Sequence, residues 1–296
     1  MSYDCIIVGG GVAGLSAAIY LARFRRNAII LDGGESRARW IPSTRNYPGF
    51  PDGVAGSVLL ARMRVQAERF GVMVHHERVV CIEGRERGFE ATTGSRVHAG
   101  ATVLIATGVA DVLPAVEGFS EEAIVAGLVR LCPVCDGFEV VDRNIAVWGP
   151  PEKAVKEARF LRTYTSRITL IGDYGDDLDA GDRQWMRDAG VDAIATPVLG
   201  FEAKDGVRLT FAGETRLFDS LYLAMGAPPR SALATALGVK VNAAGCLIVD
   251  AHQQTSVAGV YAAGDVVDEL NQIAVATGHA AIAATAIHNS LPPVSG

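Results

Sequence analysis

Cys132 and Cys135 lie in the segment Leu131-Cys-Pro-Val-Cys-Asp-Gly137, and theirs is the cysteine spacing in this 296-residue chain that can do redox chemistry. A C-x-x-C at a helix start brings two sulfurs within bonding reach. The helix N-terminus lowers a thiolate pKa, so that one cysteine attacks while the other resolves. The rival use is half of a zinc site, but four ligands are needed and no second C-x-x-C or nearby pair of histidines completes them, so no metal is expected. Cys5, Cys81 and Cys246 sit singly in apolar, strand-like runs and are expected to be buried small hydrophobes. An odd number of cysteines scattered over a long chain does not read as a secreted disulfide framework.

The elements that must carry such a pair begin with a glycine loop. Gly9, Gly11 and Gly14 fit G-x-G-x-x-G between a strand-like run at 3–8 and helically spaced apolar residues at 15–23, with Asp32 ending the next apolar run at 28–31. Gly9 permits the tight turn, Gly11 lets a pyrophosphate approach the helix N-terminus, Gly14 lets helix and strand pack closely, and Asp32 accepts from ribose hydroxyls. The competing reading is an ordinary glycine-rich turn, against which the strand, helix and acidic residue all speak.

A weaker second copy opens at Ile145 with a strand at 145–148, a helix at 152–164 and a strand at 168–171. It keeps Gly149 and Ala154 but has Pro151 where the pyrophosphate-facing glycine belongs, with Pro150 beside it. Proline adds ring bulk and offers no N–H to a phosphate. Asp173 stands where a 2′-phosphate would want arginine. Either this unit keeps its fold for packing and has lost its ligand, or it still binds a nicotinamide nucleotide. The expected class is α/β, with two Rossmann-like three-layer dinucleotide-binding domains, the second inserted into the first. Residues 1–113 and 246–296 make the first domain and 114–245 the second, which carries the C-x-x-C.

Lys plus Arg total 27 against 33 Asp plus Glu, a formal charge of −6 with the basic residues scattered, which argues against nucleic acid and anionic membranes as partners. No apolar stretch is long enough to span a bilayer. The first strand begins almost at the initiator, leaving no room for a cleaved secretion signal, so a cytoplasmic location is expected.

Five motifs agree: Gly9-x-Gly-x-x-Gly14, Asn46-Tyr-Pro-Gly-Phe50, Ala106-Thr-Gly108, Cys132-x-x-Cys135-Asp136-Gly137, and the run from Gln254 to Ala263-Gly264-Asp265. Together they resemble the low-molecular-weight thioredoxin reductase family over essentially the whole chain. The resemblance implies FAD in the first domain, held by Gly9, Gly11, Ala13, Gly14, Asp32, Gly33, Asn46, Val79, Ala106, Thr107, Gly108, Gly264, Asp265, Gln272 and Ile273. It implies that Cys135 faces the flavin, that Cys132 meets the external disulfide or dithiol, and that Asp136 is a general acid or base, a role compatible with capping a helix. It also implies a homodimer. Two departures stand out: Asn271-Gln-Ile273 where the family more often has R-Q-A, and His279 where it tends to carry a small residue.

The expected function is FAD-dependent thiol–disulfide exchange between the Cys132–Cys135 dithiol and a thioredoxin-like protein disulfide or a small dithiol or disulfide. The damaged second loop points away from efficient NADPH binding and toward a ferredoxin-type donor or oxygen as acceptor. An ordinary NAD(P)H-dependent thioredoxin-disulfide reductase is the alternative. A non-enzymatic flavin-binding module is a third, against which an intact Cys132-Cys135-Asp136 argues.

Overall fold

Short apolar runs that stop at a glycine, 3–8 and 145–148, open two βαβ units, and in the computed structural model each becomes an inner strand with parallel neighbours on both sides. The structure describes residues 2–172, 174, 178–267 and 270–294. In chain order the first part comprises β1 (Ser2–Val8), α1 (Val12–Arg23), β2 (Ala28–Leu31), α2 (Gly56–Arg69), β3 (Met73–His75), β4 (Val79–Arg85), β5 (Gly88–Thr93) and β6 (Val97–Ile105). There follow α3 (Glu122–Val125), β7 (Val129–Arg130), α4 (Pro133–Asp136), β8 (Ile145–Trp148), α5 (Pro151–Leu161), β9 (Ile168–Ile171), α6 (Ala180–Ala189) and β10 (Asp192–Ile194). The chain then makes β11 (Gly200–Ala203), β12 (Val207–Phe211), β13 (Glu214–Phe218), β14 (Ser220–Leu223), α7 (Ala232–Ala236), β15 (Val260–Ala262) and α8 (Ile273–Ser290).

One sheet runs β3-β2-β1-β6-β5-β4, with β15 also on β6. The long β6 has three neighbours: it pairs parallel with β1, its first half pairs antiparallel with β5, and its second half pairs parallel with β15 through Val103–Val260 and Ile105–Ala262. A second sheet runs β10-β9-β8-β14-β7, parallel throughout, and β11-β12-β13 form an antiparallel ribbon. The order β3-β2-β1-β6-β15 thus reappears as β10-β9-β8-β14-β7, two Rossmann-like units of the expected α/β class. Central strands covered on both sides must be apolar throughout. Ile6, Ile7, Ile29, Ile30, Ile145 and Val147 are fully buried, and cutting one of the isoleucines back to alanine costs about 2–5 kcal/mol. Buried Ala276, Ala280, Ala283 and Ala284 give α8 a slim face on which it packs against α1.

The chain divides into two compact units, one of Met1–Arg39, Gly56–Ala110 and Pro228–Gly296, the other of Trp40–Ala55 and Asp111–Ala227. These limits differ from the expected ones at residues 40–55, 111–113 and 228–245. Residues 228–245 join the first unit because Ala110 N–H donates to Pro228 O and Ala234 and Val239 complete the core around Ile6 and Ile29. Residues 40–55, which include Asn46, join the second: Trp40 Nε1 donates to Glu121 and Pro42 packs on Gly127. One cysteine expectation is corrected as well. Cys5 and Cys246 are buried, but Cys81 is exposed, because a register shift between Val79 and Cys81 turns it outward from β4. No described helix is long and apolar enough to cross a membrane.

Candidate active site

Cys132 and Cys135 are joined as a disulfide across a Cα–Cα distance of 5.3 Å. Cys132 is the extended residue before α4, Pro133 fills the first helical position where no N–H is needed, and Cys135 N–H points back at Cys132 Sγ at 3.2 Å. Both cysteines are half-buried. Burial pushes the Cys5 thiol up to about 12, so that cysteine is inert at neutral pH. Gly137 follows because a Cβ there would stand 2.6 Å from the Tyr164 ring.

Asp136 caps no helix. Its Oδ2 accepts from Arg130 Nη1 at 2.9 Å and its Oδ1 from the Tyr222 hydroxyl at 3.0 Å. Burial holds its pKa above the ordinary carboxylate value even though the Arg130 charge pulls the other way. Burial, and then the Asp136 charge, push the Tyr222 phenol far up, so it remains a donor. Sequence reasoning missed Arg130 and Tyr222. The available signal was a phenol inside the apolar run Ser220–Leu223, since a buried hydroxyl must find a partner.

In the first unit the predicted nucleotide residues gather at the C-terminal edge of the sheet. Gly9 has φ +113° and its missing Cβ would lie 2.3 Å from Ala106 O; a Cβ on Gly14 would lie 1.9 Å from Gly9 O. Gly264, at φ +83°, approaches Ala13 so closely that a Cβ would stand 2.9 Å from Ala13 Cβ, which brings the distant Gly264-Asp265 segment to the start of α1. No side chain caps α1 at Gly11, and the nearest atom to a Cβ there is Ser36 Oγ at 3.3 Å. The first turn of α1 is therefore left to an anion, as the pyrophosphate of a dinucleotide requires. Asp32 Oδ1 accepts from Gly10 N–H and Gly34 N–H, and Oδ2 from Arg64. Gly10 was passed over by the glycine pattern although a Cβ there would strike the Asp32 carboxylate at 2.4 Å.

Gly33 lies under the Arg78 guanidinium, and Val79 starts β4 in the core. Ala106 N–H donates to Val8 O, Thr107 Oγ1 donates to Arg230 O, and Gly108, at φ +66°, accepts from Arg230 N–H. Gln272 is the residue before α8 and Ile273 its first. Asn46 belongs to the second unit, where its Oδ1 accepts from Thr44 Oγ1. These residues of the first unit fit FAD.

The corresponding edge of the second unit is built differently. Gly149 is pressed against β14, its Cβ position 2.4 Å from Ala224 O, but α5 starts with Pro150 and Pro151 and has no side-chain cap. The buried Tyr174 hydroxyl donates to Ile171 O at 2.9 Å and stands 3.3 Å from Gly149 O. The phenol thus stands at the carboxyl ends of β8 and β9, the end of an open α/β sheet at which ligands are taken. Lys153 Nζ closes the adjoining loop on Met225 O. Asp173 lies outside the described residues.

Residues 3–280 match the family described as pyridine nucleotide-disulphide oxidoreductase. The chain belongs to that family. It is 32% identical over 297 residues to a thioredoxin reductase of Mycolicibacterium smegmatis, covering 96% of this chain and 94% of that one. A thioredoxin reductase of Streptomyces coelicolor is 32% identical over 292 residues, covering 92% and 88%. Among solved structures, the thioredoxin reductase of Streptococcus pyogenes superposes with a TM-score of 0.87 at 28% identity, over 97% of each chain. The chain is a flavin-dependent disulfide oxidoreductase of the low-molecular-weight thioredoxin reductase type, and the family implies FAD as its cofactor.

Proposed function

We propose that the chain exchanges electrons between the Cys132–Cys135 pair and an external disulfide or dithiol, and that its second redox partner is not NADPH. Tyr174 carries the second half of this reading. Its hydroxyl on Ile171 O and beside Gly149 O takes up the space a dinucleotide needs, while Pro151 removes an N–H that a phosphate would use. A ferredoxin-type protein or dioxygen is the partner class left.

Cys132 is assigned to the external substrate and Cys135 to the flavin side, with Asp136 moving a proton at the sulfurs. Gly11 and Ala13 at the start of α1, Asp32, and the Gly264-Asp265 segment are assigned to holding FAD. Bound FAD supplies the two-electron relay between the dithiol and the second partner. The external substrate is a thioredoxin-like protein or a small dithiol, and the relatives named thioredoxin reductase favour the protein. Those names also support the alternative of an ordinary NADPH-driven reductase.

Calorimetric titration with NADPH and NADH, paired with anaerobic mixing while flavin absorbance is followed, separates the two. The expected result is no binding heat and no bleaching by either nucleotide, with bleaching by dithiothreitol. Rapid bleaching by NADPH would make the chain a conventional reductase.

A further inference from the structure

We propose that Arg130 and Tyr222 are positioning residues that hold Asp136 as a carboxylate turned toward β7 and β14, ready to take the proton of an incoming thiol. The inference rests on the reading of Asp136 as the proton-transfer group. Both carboxylate oxygens are met by donors, Oδ2 by the Arg130 guanidinium at 2.9 Å and Oδ1 by the Tyr222 hydroxyl at 3.0 Å. A guanidinium has no acceptor and never loses its proton, so a protonated Oδ2 would set hydrogen against hydrogen. The pair is poorly hydrated, with side-chain exposures of 13% for Arg130 and 19% for Asp136, which makes its geometry count for more than that of a surface bridge. Arg130 is itself steadied by Nε donating to Ser220 Oγ at 3.4 Å, and Tyr222 also reaches Asp136 O at 3.2 Å.

Another charged group bearing on Asp136 is Glu139, from the turn that follows α4. It opposes the carboxylate, and it is paired with Arg45 at 3.3 Å. Burial favours the neutral acid; Arg130 and Tyr222 favour the anion.

The consequence is a direction for the proton. When a thiol RSH opens the disulfide, Asp136 takes its proton, and the thiolate forms a bond to Cys132 Sγ. The Sγ–Sγ bond breaks, and Cys135 leaves as a thiolate carrying the bonding pair. The products are the mixed disulfide RS–SCys132 and a Cys135 thiolate that can recover the proton from Asp136. Atoms and electrons balance with no further reactant.

The test uses the flavin-loaded protein under anaerobic conditions with excess mercaptoethanol, from acid to neutral pH. Thiols freed at timed intervals are alkylated with iodoacetamide and counted by mass. The rate in the wild type falls on an acid limb set by Asp136. Arg130→Met moves that limb upward by about 1–2 pH units, because an opposite charge next to a carboxylate is removed. Tyr222→Phe, which keeps the volume and loses the donor, moves it upward by less than about one unit, and Arg130→Lys returns it most of the way. An unmoved limb in both Arg130→Met and Tyr222→Phe, with the limb abolished in Asp136→Asn, overturns the inference alone. An unmoved limb in Asp136→Asn overturns the underlying assignment of Asp136. Should Arg130→Met fail to fold, Tyr222→Phe and Arg130→Lys decide the matter.

Discussion

Gly9 and Gly149 occupy equivalent places in the two βαβ units, and an added Cβ would meet the same obstacle in each: Ala106 O at 2.3 Å in one and Ala224 O at 2.4 Å in the other. Two positions later the units part. Gly11 has no side chain over an uncapped helix, with Ser36 Oγ 3.3 Å from where a Cβ would stand, whereas Pro151 brings a ring and no N–H. At the end of the next strand one unit presents the acceptor Asp32 and the other inserts the Tyr174 phenol. The first glycine of a nucleotide loop is thus demanded by strand packing, and the second by the ligand. Strand packing therefore holds the first glycine in both units, whatever either of them binds.

The largest effects test the shared glycine. Gly9→Ala and Gly149→Ala should each destabilise the protein by about 3 kcal/mol or more in denaturant titration, because a Cβ cannot coexist with the facing carbonyl. Only Gly9→Ala should also release flavin. A neutral Gly149→Ala would break the packing account of that position.

Gly11→Val comes next and separates ligand from fold. It should lower flavin retention at least about tenfold, while the flavin-free protein keeps its stability within about 1 kcal/mol, since Ser36 Oγ at 3.3 Å is the nearest obstacle. Fluorescence of reconstituted flavin reads the first effect and thermal unfolding the second.

Tyr174→Phe should cost about 1–2 kcal/mol in the second unit, because it leaves Ile171 O and Gly149 O without the hydroxyl in a buried crevice. Flavin content should not change. If Tyr174→Phe were as stable as the wild type, the hydroxyl would not be what closes the crevice.

The smallest effect contrasts two carboxylates, one in each unit. The Thr93 hydroxyl, then His98 and Arg96, hold Glu77 below the ordinary carboxylate value, whereas burial holds Asp136 above it. A lowered pKa gives stability that is present above the ordinary value and is lost as pH falls through the folded-state value. The wild type should therefore lose its advantage over Glu77→Gln on acidification below the ordinary glutamate range. Asp136 has the opposite sign, and its contribution fades as pH rises. Parallel stability curves for wild type and Glu77→Gln at all pH values would remove Glu77 from the account.

Much of the fold was readable in residue order, because a parallel strand buried on both faces reads as a short, nearly continuous apolar run. The runs 3–8, 28–31, 145–148 and 168–171 all became strands at or within one residue of those limits. The expected helix at 152–164 stops at Leu161, where Tyr164 N–H turns back to Leu161 O and Thr165 Oγ1 is drawn to Arg143 O. The compact units and the expected domain limits part where short segments cross over, because residues 40–55 and 228–245 lack a periodicity that would show which core they join.

By itself the sequence determined the Rossmann repeat, the close-packed glycines, the cysteine pair and the prolines that open α5, since each is local: one residue type at a fixed spacing carries its own stereochemistry. Only the tertiary structure decided that Asp136 faces Arg130 and Tyr222, that Gly264 meets Ala13, and that the Tyr174 hydroxyl reaches Gly149 O. Tyr222 with Asp136, Gly264 with Ala13 and Tyr174 with Gly149 join segments distant in the chain, whereas Arg130 lies a short way before Asp136 on the neighbouring strand β7. Their partners are chosen by sheet order and burial, which no single stretch of residues encodes.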